Sequence, residues 1–182
     1  MNVTFLLNGE TVEVNTHPTQ TLLDWLRETR GLTGTKEGCN EGDCGACSVM
    51  ITDERGARSL NACILFVPQL HGKAVRTVEG IAAPDGALHA VQQTMVDNHG
   101  SQCGFCTPGF VMSLYTGYEN GLDDNRQNIQ QILSGNLCRC TGYGPLIDAG
   151  LSAARHMPSP DQKTAQIARQ HNEITYLQSR RN

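Results

Sequence analysis

The chain has 182 residues, 38% of them hydrophobic and only 5% aromatic, which is enough for modest cores rather than one large one. A formal charge of −4 and a pI near 5.8 leave no basic footprint, which argues against nucleic acid as a partner. The opening MNVTFLLNGETVEV lacks a basic n-region, and its apolar run is too short for a signal or membrane helix. The expected setting is cytoplasmic, without a membrane, and in a reducing compartment eight cysteines point to metal before disulfides.

Val3 to Leu7 and Thr11 to Val14 flank Asn8-Gly9, the strongest short hairpin signal. Thr21 is placed to cap a helix carrying Leu22, Leu23 and Leu26 on one face, with Gly31 as its stop. Trp25 on that helix reads as core or rim. The stretch from Gly38 to Cys47, GCNEGDCGAC, follows, and its Cys39, Cys44 and Cys47 have the C-x4-C-x2-C spacing of a plant-type [2Fe–2S] site. Cys63 supplies the more distant fourth thiol. Gly38, Gly42 and Gly45 let backbone amides approach the sulfurs. Glu41 and Asp43 are expected to face solvent.

Ser48 to Thr52 reads as a strand, Glu54-Arg55-Gly56 as a turn, Ala57 to Ala62 as a returning segment and Lys73 to Val78 as one more strand. Residues 1–78 thus predict a small α+β domain with a mixed sheet, and residues 79–86 a linker. Beyond it, four apolar stripes predict a four-helix unit over residues 87–156. They are Leu88, Val91, Met95 and Val96; then Phe110, Val111 and Leu114 behind Thr107-Pro108; then Ile129, Ile132 and Leu133; and last Leu146, Ile147, Gly150, Leu151 and Ala154. Asp123 and Asp124 are expected at the start of the third helix. Residues 157–182 read as a polar tail or linker, with one solvated helix over Asp161 to Gln170 as its structural option.

Cys103-Gly104-Phe105-Cys106 lies between the first two of these helices and Cys138-Arg139-Cys140 follows the third, so folding can bring both pairs into one four-thiolate site. By spacing alone, zinc is a rival to iron–sulfur, more so at this second set than at the first. A thioredoxin-like reading of Cys103 and Cys106 lacks its βαβ context. Gly142-Tyr143-Gly144 has Ile147 where a dinucleotide fingerprint needs its third glycine. His17, His71, His89, His99, His156 and His171 show no paired spacing. No nucleophile with its base is visible, so the chain handles electrons without a substrate site of its own.

The two cysteine sets in this order, with QCGFCTPG at Gln102 to Gly109 and GNLCRCTGY at Gly135 to Tyr143, resemble the iron–sulfur portion of the molybdenum hydroxylases, the xanthine oxidase family. The resemblance covers about residues 2–156. The loop GLTGTKEGCNEGDCGACSVMI and NAC at Asn61 to Cys63 look most like the bacterial xanthine dehydrogenase small subunit. The resemblance implies a plant-ferredoxin-like (β-grasp) domain followed by a four-helix-bundle domain, each holding one [2Fe–2S] cluster. Carried over to this sequence, Cys39, Cys44, Cys47 and Cys63 would hold the cluster facing FAD. Cys103, Cys106, Cys138 and Cys140 would hold the cluster facing a molybdopterin, with Gln102 bonded to the pterin and Cys140 against it.

The molybdopterin and the FAD would sit in partner chains or domains, and electrons would pass on to NAD or oxygen. Many bacterial relatives continue into an FAD domain. Here the sequence stops at Asn182, which leaves a separate flavin subunit and a partial chain both open. The expected function is electron relay within a xanthine dehydrogenase. An aldehyde- or N-heterocycle-oxidising relative, a free-standing ferredoxin-like carrier and a zinc-stabilised interaction module are the alternatives.

Overall fold

The computed structural model describes residues 1–157 together with Thr175 and Ser179. The helix option over Asp161 to Gln170 lies outside the described residues. Strand β1 (Asn2–Leu7) turns at Asn8 and Gly9, with φ of 52° and 89°, into β2 (Glu10–Asn15), the pair of left-handed residues that a tight hairpin needs. β1 also runs parallel to β5 (Ala74–Arg76), while β3 (Ser48–Asp53) is antiparallel to both β4 (Gly56–Asn61) and β5. The five-stranded sheet has the order β2-β1-β5-β3-β4 and is mixed, as the sequence predicts. β5 ends before the predicted Val78 because Thr77 donates its N–H to Asn8 Oδ1 at 2.9 Å and its hydroxyl to Glu79, opening a 3-10 turn over Val78–Gly80.

Thr21 Oγ1 accepts from Asp24 N–H at 3.1 Å and starts α1 (Leu22–Asp24). After this single turn the helix widens into a π turn over Trp25–Thr29, closed by Arg30 N–H on the Trp25 carbonyl at 3.0 Å. Leu22, Leu23 and Leu26 are fully buried, each burial being worth about 1.5–3 kcal/mol. Trp25 meets Phe5 edge to face at 5.4 Å, in the core.

β3 is covered on both faces. Val49 and Ile51 point into the core shared with α1, whereas Met50 belongs to the core of the helical half, the alternation a pleated strand imposes. That half comprises α2 (Ala90–Asp97), α3 (Thr107–Glu119), α4 (Arg126–Leu133) and α5 (Gly144–Arg155). α3 departs from the amphipathic stripe predicted for it. It is buried at ten of its 13 residues because it lies between the other helices and the back of the sheet, where Asn120 Nδ2 reaches the Ala57 carbonyl at 2.9 Å.

Two other expectations are corrected. Leu88 precedes α2 and is 47% exposed, and Val96 on its outer side is 59% exposed, so Val91 and Met95 carry that helix's packing. Asn125, not Asp123 or Asp124, caps α4 by accepting from Gln127 and Asn128 N–H. Asp124 instead pairs with Arg155 of α5 at 2.8 Å. His89 caps α2 and packs edge-on against Tyr115 and Tyr118, where burial lowers its pKa.

Candidate metal centres

The loop from Gly38 to Cys47 is turned inward by Asn40, Gly42 and Gly45, with φ of 57°, 83° and 71°. The turns aim main-chain donors at sulfur. Asp43 and Cys44 N–H donate to Cys39 Sγ, Cys39 N–H to Cys44 Sγ and Gly42 N–H to Cys63 Sγ, all at 3.2–3.3 Å. Asn61 Nδ2 ties the returning strand to the Gly42 carbonyl at 2.6 Å. Glu41 and Asp43 are exposed, as expected.

The amides of Glu41, Cys44 and Asp43 bring the Cys39 thiol down to about 7. Burial pushes Cys47 up to about 12, with the neighbouring Cys63 sulfur adding to it. At neutral pH Cys47 gives up its proton only where a cation takes up the charge, which is the condition for metal or cluster binding.

The second set is assembled from two loops. Cys103 and Cys106 lead into α3, and Cys138 and Cys140 lie between α4 and α5. The thiols meet in pairs. Burial and the adjoining Cys138 push Cys106 up to about 12, while a hydrogen bond with Cys103 raises Cys140. Burial pushes the Cys138 thiol up, but the Thr141 hydroxyl, donating at 3.2 Å, and nearby amides outweigh it and leave the pKa lowered. Both sets thus pair two by two, Cys39 with Cys44 and Cys47 with Cys63, then Cys103 with Cys140 and Cys106 with Cys138. Among the described residues no three His, Cys, Asp or Glu side chains converge as one ion requires. A two-iron centre shares its four thiolates between two metals, so a pairwise array fits it.

Tyr143, at the start of α5, has φ of 68°, a left-handed conformation that costs a bulky residue on the order of 1–3 kcal/mol. In return its phenol oxygen accepts Cys138 N–H at 2.9 Å and its own N–H donates to Thr141 Oγ1 at 3.2 Å. Gln102 and Cys103 are exposed on one of the two loops, and Arg139 and Cys140 on the other.

The two sets are joined. Leu137, next to Cys138, donates its N–H to the Cys44 carbonyl at 2.9 Å. Buried Asn136 donates from Nδ2 to the Gly45 carbonyl at 3.0 Å and to Ser48 Oγ, and accepts from Ser113 Oγ at 2.7 Å. Glycines permit this approach: a Cβ on Gly109 would lie 2.2 Å from the Gly45 carbonyl, and one on Gly45 would lie 2.3 Å from that of Gly135. Sequence reasoning missed Asn136, Thr141 and Tyr143. Asn136 reads as a helix stop, and its partner Gly45 is 91 residues away.

A family model described as a 2Fe-2S iron-sulfur cluster binding domain matches residues 5–68, and one described as a [2Fe-2S] binding domain matches residues 77–151. The chain in the crystal structure of quinoline 2-oxidoreductase from Pseudomonas putida 86 is 33% identical, superposes with a TM-score of 0.76 and is covered to 96% by 92% of this chain. The chain belongs to the iron–sulfur portion of the molybdenum hydroxylases. A second member of known structure, the aldehyde oxidoreductase from Desulfovibrio gigas, is 34% identical with a TM-score of 0.80, over 91% of this chain and 18% of that one.

Among curated molybdenum hydroxylases, aldehyde oxidase 3 of Mus musculus is 48% identical over 81% of this chain, and xanthine dehydrogenase/oxidase of Felis catus 47% identical over 83%. The chain spans 12% of the length of either. It is an iron–sulfur electron-transfer unit, with a ferredoxin-like [2Fe–2S] domain followed by a helical one. Among the described residues no helix is long and apolar enough to cross a membrane.

Proposed function

We propose that Cys39, Cys44, Cys47 and Cys63 hold one [2Fe–2S] cluster in a unit of residues 1–78, and that Cys103, Cys106, Cys138 and Cys140 hold a second in residues 87–156, with residues 79–86 joining the units. When bound, the clusters supply one-electron oxidation and reduction. The chain's own groups hold the thiolates in pairs, aim amides at the first set and a hydroxyl at the second, and keep the sets in fixed register. The hydrogen bond from Leu137 N–H to the Cys44 carbonyl carries the reading. Through it, covalent bonds and one hydrogen bond lead from Cys138 to Cys44, which suits a relay inside one chain.

In this reading the second set faces a molybdopterin centre and the first faces FAD, both in partner chains or domains, in the cytoplasm. Exposure of Gln102, Cys103 and Cys140 supports the outward orientation of the second set; Gln102 then bonds the pterin and Cys140 lies against it. The proposed substrates are purines, as in xanthine dehydrogenase, on the strength of the loop around Cys39. The 48% identity to an aldehyde oxidase supports aldehyde oxidation as a second reading.

The test is stepwise anaerobic reduction with iron and sulfide assays and low-temperature EPR, on the protein isolated with whatever co-purifies. About four irons per chain and two reduced-cluster signals are expected. A single signal with two irons, or a chain that elutes without a molybdopterin subunit or domain, would defeat the relay. Cluster reduction by xanthine but not by an aldehyde separates the two substrate readings.

A further inference from the structure

Main-chain amides serve the sulfurs of Cys39, Cys44 and Cys63; Cys138 Sγ receives a side-chain hydroxyl in addition to its nearby amides. Thr141 Oγ1 lies 3.2 Å from that sulfur. A hydroxyl has one proton and can also accept, so which role it plays toward sulfur depends on its other partner. Tyr143 N–H donates to Thr141 Oγ1 at 3.2 Å, which satisfies the oxygen as acceptor and leaves its proton for Cys138 Sγ. Tyr143 reaches this place only by its left-handed backbone, and its phenol closes the ring by accepting Cys138 N–H at 2.9 Å. The loop is thus a closed circuit of three hydrogen bonds through Cys138, Thr141 and Tyr143.

We propose that Thr141 is a positioning residue that sets the reduction potential of the second cluster, its hydroxyl donating to Cys138 Sγ and Tyr143 fixing the direction of that bond. The inference rests on the assignment of Cys138 to a [2Fe–2S] cluster. Reduction adds negative charge to the cluster and its sulfurs, so a donor at sulfur favours the reduced form.

The test is an EPR-monitored redox titration of the iron-loaded protein with its co-purifying partners, comparing wild type, T141V and T141S. In T141V, the signal left unaltered by a C39S variant should move to lower potential. Its reduced-to-oxidised ratio at the wild-type midpoint should fall about tenfold, equivalent to about 59 mV for one electron. The other signal should stay in place, and T141S should restore the wild-type value.

An unmoved T141V signal, or a T141S signal displaced as far as that of T141V, would overturn the proposal. If T141V does not retain its second cluster, T141A removes the hydroxyl with less change in the loop and is titrated instead. Loss of the cluster in both, with retention in T141S, would make the role purely structural and overturn potential-setting. A wild-type protein with only one reduced-cluster signal would instead refute the cluster assignment beneath the inference.

Discussion

Gly109 lies in the first turn of α3, where helix propensity alone would favour alanine. Its added methyl would instead meet the Gly45 carbonyl at 2.2 Å, and forcing an atom into a packed site costs about 1–3 kcal/mol. G109A is therefore expected to lower the thermal midpoint of the iron-loaded protein, whereas helix propensity alone would raise it. The thiols give a second expectation. In iron-free protein Cys39, held near 7 by its amides, should be alkylated at a rate rising through pH 7. Cys47 and Cys106, at about 12, should stay protonated and resist; peptide mapping after brief iodoacetamide treatment reads the order. The sign for stability is opposite for these two thiols, Cys47 buried and Cys106 half-buried. Their preference for the protonated form supports the fold below their ordinary pKa of 9.0 and is lost as the pH rises toward about 12.

Between elements, Asn136 is the side chain that binds the loop after α4 to the first cysteine loop and to α3. N136A would remove the bonds to Ser113 Oγ and the Gly45 carbonyl, at about 0.5–1.5 kcal/mol for each, while Ser59 stays on Ser113 and Ser48 on the Gly45 carbonyl. The expected outcome is a loss of stability in denaturant unfolding, with the iron content of both centres retained under native conditions.

Much of this scale was legible beforehand. Asn8-Gly9 announces its hairpin because two left-handed residues are chemically conspicuous, and Cys39, Cys44 and Cys47 announce a cluster because few other sites need that spacing. The π turn at Trp25 was not legible: Leu22, Leu23, Trp25 and Leu26 make a stripe too broad for one face of a regular helix, and only contact with the sheet decides how the backbone accommodates it. Burial of α3 on nearly all sides was hidden for a related reason, since its small and polar residues Gly109, Ser113 and Thr116 look surface-like until the back of the sheet covers them. Asn136 carries no local signal, because its importance lies in a partner far away in sequence.

For the molecule as a whole, the proposed relay needs both centres loaded and the exposed Cys103 and Cys140 set against a partner. C140S is expected to block reduction of the clusters by substrate while the first cluster remains reducible by dithionite, followed by EPR; normal substrate-driven reduction would place the electron entry elsewhere. The two halves fold around separate cores but share β3, whose faces serve one core each.

That shared strand and the junction at Gly45, Gly109 and Asn136 bear on recombination. Family models match the halves separately, at residues 5–68 and 77–151, which invites treating them as interchangeable cassettes. A chimera built by crossing two relatives between those limits would inherit a seam in which a carbonyl, two missing side chains and one amide must agree. Compatibility of such hybrids therefore follows the residues at the seam rather than the overall likeness of the parents.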